Sequence, residues 1–96
     1  MYVLEKLSVK EDAQSAVRVG YRLYGNKLFK HVAEKQKPKE IKRVTSIEVG
    51  KQVLLVGSWS EFLNTSPIEE ILEQEDNWIT FRTRTSVYKL TKVKDE

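Results

Sequence analysis

Between Trp78 and Arg84 the apolar Ile79 and Phe81 face one way and Trp78, Thr80, Arg82 and Arg84 the other. This period of two belongs to a strand with one dry and one wet face. Val17, Val19, Tyr21 and Leu23 repeat it against Arg18, Gly20 and Arg22, and Ser86 to Val93 reads as a last strand. The alternation therefore makes the chain β-built before composition is considered.

At 96 residues with no cysteine, the chain has room for one core and no disulfide or thiolate metal site to hold it. A chain this short buries only about 60–65 per cent of its unfolded surface, so apolar packing must suffice. Charges enter at Glu5 and Lys6, and the longest apolar run, Val53 to Val56, is far short of a membrane span. These features predict a cytoplasmic protein, neither secreted nor inserted in a membrane. Abundant Lys, Glu, Ile and Val with one Met is a thermophile-like composition.

Ser8-Val9-Lys10-Glu11 matches a capping box, which predicts a short helix from Val9. Gly25-Asn26 stands where a two-residue hairpin turn belongs, with Lys27 to Ala33 as the returning strand. Residues 35–40, with Pro38, read as an exposed loop. Ile41 to Val49 and Gln52 to Val56, punctuated by Gly50-Lys51, predict a second hairpin. Residues 57–64 read as a loop with a helical turn nucleated by Ser58 and Glu61. Over 66–73 the signals conflict. Ser66, Pro67 and the following acids suit a helix start, whereas the spacing of Ile68, Ile71 and Leu72 also suits a strand.

Thr65-Ser66-Pro67-Ile68 to Ile71, Phe81 to Thr83, and Thr85-Ser86-Val87-Tyr88-Lys89-Leu90 form a pattern that resembles the end of small, mostly uncharacterised β-rich proteins of bacteria and phages. The resemblance implies that the T-S-P segment is a strand paired with the later T-x-S-x-Y-x-L strand. It implies no activity. The expected fold is mainly β: one domain over 1–96, a five- to seven-stranded antiparallel half-barrel or barrel of SH3-like or OB-like kind. Residues 1–34 would supply a helix or hairpin, 35–40 a loop, and 41–93 the core.

No catalytic residue, metal site or cofactor is implied. His31 is the only histidine and no nucleophile or H-x-E spacing accompanies it. Glu69, Glu70, Glu73 and Glu75 lack the glycine-bearing loop of a calcium site, and no glycine-rich phosphate loop occurs. Net charge is only +3, yet Lys27, Lys30, Lys35, Lys37, Lys39, Lys42 and Arg43 gather in one run, and Glu61 to Asp76 is wholly acidic. Clustered bases attract phosphate backbones, although a solvated loop has the same composition.

By strand parity Trp78, Arg82 and Arg84 form a second patch that could stack on bases or clamp phosphates, unless the arginines pair with Glu69 or Glu73. Trp59 and Phe62 would either plug the end of a barrel or touch a partner. The expectation is a non-enzymatic module binding nucleic acid. The alternative is a protein-interaction or self-assembling module in which acidic and basic segments of two copies meet.

Overall fold

The computed structural model describes residues 1–10, 18–32, 37–57 and 61–93, and the fold is mainly β. The strands are β1 (Tyr2–Val9), β2 (Arg22–His31), β3 (Lys39–Ile41), β4 (Gln52–Gly57), β5 (Phe62–Asn64), β6 (Ile68–Gln74), β7 (Trp78–Thr83) and β8 (Ser86–Lys92). A 3-10 turn, Val44–Ser46, follows β3. Every pairing is antiparallel, and the order β5-β4-β2-β1-β8-β7-β6 makes one unclosed sheet of eight strands, with β3 also on β2. Five to seven strands were expected.

The bend in this sheet lies in β2. Its first half pairs with β1, from Tyr2↔Gly25 to Glu5↔Arg22. Past an irregularity between Gly25 and Lys27, its second half pairs with β4 on one side and β3 on the other. An extra residue at that point bends the strand and sharpens its twist. Two half-sheets, β2-β1-β8-β7-β6 and β5-β4-β2-β3, thus share β2 and fold their inner faces together. At one corner their far ends also meet: Gly50 N–H donates to the Ile68 carbonyl (2.8 Å) and Ile68 N–H to the Lys51 carbonyl (2.9 Å).

The core follows strand parity. Leu4, Leu23, Ile79, Phe81, Tyr88 and Leu90 of one half meet Leu28, Ile41, Val53, Leu55 and Leu63 of the other. Val44 and Ile47, three residues apart, enter from the 3-10 turn, whose repeat of three puts both on one side. Phe81 stacks on its cross-strand partner Tyr88 at 5.6 Å. Lys6 takes the inward position after Tyr2 and Leu4 and is buried, which pushes its ammonium pKa below the ordinary lysine value.

Several expectations fail for physical reasons. Ser8 and Val9 extend β1, so no helix begins at Val9, and the rest of that segment, 11–17, lies outside the described residues. Gly25-Asn26 is no turn, because β2 runs straight through it as a bulge and residues 27–31 continue the same strand. Within residues 1–34, β1 and β2 pair antiparallel, as a hairpin would, but they stand in the middle of the sheet, so the core is not confined to 41–93.

Ile41 to Val49 is not a strand opposite β4. The chain leaves β3 at Ile41 and turns through Val44–Ser46, and β4 pairs with β2 and β5 instead. The loop expected over 57–64 holds the end of β4 and all of β5; the helical turn there falls on 58–60, outside the described residues. Residues 68–74 are a strand, but β6 pairs with β7 (Ile68↔Thr83) and not with β8, whose two sides are taken by β7 and β1.

Candidate functional site

The side of β2 facing away from the core carries Tyr24, then, past the bulge, Lys27, Phe29 and His31. Directly opposite residues of antiparallel strands share a face, so Val56 and Phe62 stand in one row with Lys27, and Leu54 and Asn64 in one row with Phe29. Tyr24 is 53 per cent and Phe62 66 per cent exposed. His31 Nε2 lies 2.9 Å from Asn64 Oδ1, which fixes the imidazole at the end of this stripe.

At the end of the stripe His31 borders a depression of about 180 Å³ lined by Lys30, His31, Val32, Lys37, Lys39, Glu48 and Lys51, where Lys30 and its register partner Lys39 project from the opposite face of β2 and β3. Lys30 is anchored there, its Nζ donating to the Ser46 carbonyl (3.1 Å) and to Glu48 (3.2 Å). That ion pair answers the one carboxylate among the described lining residues. Lys37, Lys39 and Lys51 have no ion-pair partner among the described residues. Lys37 and Lys39 are exposed and Lys51 is half-buried, and exposed ammonium groups are what a surface that exchanges counterions for phosphates requires.

The rest of the basic run is dispersed. Lys27 is exposed farther along β2. Lys42 pairs with Glu40 (3.0 Å), and Arg43 leads the 3-10 turn outside the depression. Lys35 lies outside the described residues, as does Trp59. Phe62 stands out on the sheet's edge strand rather than plugging an end.

Several cations on β2, β7 and β8 are already engaged. Arg22 binds its register partner Glu5 at 3.0 Å, and this contact raises the guanidinium pKa. Lys89 Nζ sits 4.7 Å from the centre of the Trp78 ring, a cation–π contact that covers the half-buried indole. Arg82 holds Glu69 at 2.8 Å and Glu70 at 3.5 Å. Trp78 and Arg82 share the outer face of β7, four residues or about 13 Å apart along the strand, and Arg84, in the turn after β7, lines a depression with Arg82, Glu69 and Lys10.

Arg82 is nearly half exposed, and ion pairs in water contribute about 0–1 kcal/mol. Arg82→Ala should therefore shift the urea midpoint little, by less than about 1 kcal/mol. A larger loss would mean that the pair clamps β6 to β7.

Lys51 and Tyr24 were not singled out by the sequence. Lys51 followed a glycine in what read as punctuation, and only the fold sets it beside Lys37 and Lys39. Tyr24 preceded an apparent turn, although its alternation with Leu23 already placed it opposite the core. Comparison with known proteins adds no identity: no family model, curated protein or solved structure matches the chain. No helix among the described residues is long and apolar enough to cross a membrane.

Proposed function

We propose that the chain is a non-enzymatic module that binds nucleic acid through its phosphates, at the depression between β2, β3 and β4. The observation that carries this reading is the gathering of Lys37, Lys39 and Lys51 around the anchored Lys30, where Glu48, the carboxylate among the described lining residues, is answered by Lys30. A sheet bent on one long strand offers the kind of ridge and mouth that half-closed barrels of SH3-like or OB-like kind use for such ligands.

Self-assembly through strand edges has less support. β5 has three residues, and β6 carries Glu69, Glu70 and Glu73 with two register irregularities. Short, charged and bulged edges resist pairing with another chain.

The test is fluorescence anisotropy with a labelled oligonucleotide between about 50 and 200 mM salt, the range over which phosphate contacts weaken steeply. Three phosphate contacts to a single strand give a log–log slope of about −2. The triple change Lys37→Glu, Lys39→Glu and Lys51→Glu should abolish that slope and lower affinity at least about tenfold. Absence of binding by the unaltered chain at the lower salt overturns the reading.

A further inference from the structure

We infer that the nucleic acid is held as a single strand whose bases stack on Tyr24 and Phe62, along the outer stripe of β2 whose last residue, His31, borders the lysine-lined depression. The inference rests on the phosphate-binding reading above and extends that ligand around the end of β2 onto the adjoining outer face.

The stripe alternates ring and base as a stacking platform must. From Tyr24 it passes Lys27 and Phe29 to His31, a run of eight residues whose seven steps span roughly 23 Å of strand, and Phe62 stands two strands away in the row of Lys27. Base–aromatic stacking needs an open ring face, and exposures of 53 and 66 per cent leave Tyr24 and Phe62 open. Phe29 is half-buried and packs the stripe. By contrast, Trp78 is covered by Lys89 on the opposite half.

Beside Tyr24 a second depression of about 530 Å³ opens between Met1, Asn26, Lys27 and Val56, with no carboxylate among its described lining residues. That volume lies within the range of small-ligand sites and accepts a flat heterocycle while Lys27 faces its phosphate. The carboxylate facing Phe29 is Glu40, across β3, and Lys42 already holds it at 3.0 Å. Glu5, diagonal to Tyr24, is likewise held by Arg22 at 3.0 Å, so along β2 a polyanion meets only answered carboxylates among the described residues. A duplex buries its bases and could offer only its backbone here, so rings open to solvent select the unpaired strand.

Three probes of equal length separate the claims: oligothymidylate, an abasic strand with the same phosphates, and a duplex. The unaltered chain should bind oligothymidylate about tenfold or more tighter than the abasic strand, and more tightly than the duplex. The double variant Tyr24→Ala, Phe62→Ala, checked for folding by circular dichroism, should fall to the abasic level with an unchanged salt slope. Equal binding of thymidylate and abasic strands by the unaltered chain, or tighter duplex binding, overturns the stacking and leaves phosphate binding standing. Failure to bind any probe removes both.

Discussion

Phe81→Ala should lower the stability of the fold by about 3–5 kcal/mol, the usual result of emptying a buried aromatic site. Phe81 is fully buried on the inner face of β7, between β6 and β8, and opposes Ile71 on one side and Tyr88 on the other. Ring stacking on Tyr88 at 5.6 Å and 25° adds to the area it removes from water. The site has little freedom to collapse, because both neighbouring strands are held in register by backbone pairing. Against a total of about 5–15 kcal/mol for a typical domain, the loss is a large share. Urea denaturation should show a lower midpoint at constant slope. Phe62→Ala, on an exposed ring, should stay within about 0.5 kcal/mol and serves as the control. Similar losses for the two would contradict the assignment of inner and outer faces.

That assignment was legible for part of the chain only. β7 and β8 could be read because their alternation is complete and their pairing has no irregularity. β1 could not, since its inward positions are Tyr2, Leu4 and Lys6: a buried lysine breaks the apolar period that marks a strand. The Ile, Val and Thr content of 41–49 suggested a strand, yet Val44 and Ile47 stand three apart, and that spacing belonged to the 3-10 turn observed. Over 66–73 the local chemistry of a helix start was overridden by pairing with β7, as tertiary context commonly overrides propensity.

The surface divided along the same lines. The lysine run was visible as composition, but the turn after β3 sends Lys42 and Arg43 away from Lys37 and Lys39, while the corner joining Gly50–Lys51 to Ile68 helps bring Lys51 in. For Arg82 the sequence left two outcomes open, and the carboxylates of β6 decide between them. Charge within a segment was thus readable; which charges stay uncompensated depends on cross-strand neighbours that only the register supplies.

The bulge in β2 is where reading and structure part most sharply, and Gly25 tests it. In a hairpin turn Gly25 would have no close neighbours and alanine there would cost little beyond the backbone preference. In the strand, a Cβ on Gly25 would overlap the Val56 carbonyl oxygen and come within 2.8 Å of the carbonyl carbon. Both are backbone atoms of β4, which is itself pinned between β2 and β5, so neither can move aside as a flexible side chain would. Overpacking of this kind costs about 3 kcal/mol or more when the surroundings cannot yield. Gly50 is the contrast: its φ of +88° disfavours a side chain, but nothing stands within 4 Å of a Cβ there, which limits Gly50→Ala to about 1–2 kcal/mol. In urea denaturation Gly25→Ala should therefore lose clearly more than Gly50→Ala; the reverse order would mean that β2 does not run beside β4 at this point. The consequence reaches the binding surface. With the bulge between them, Tyr24 and Lys27 share the outer face although three residues apart, a spacing that would put them on opposite faces of a regular strand. A Gly25 variant that still folds should accordingly lose the preference for bases over abasic phosphates while the lysines of the depression go on responding to salt.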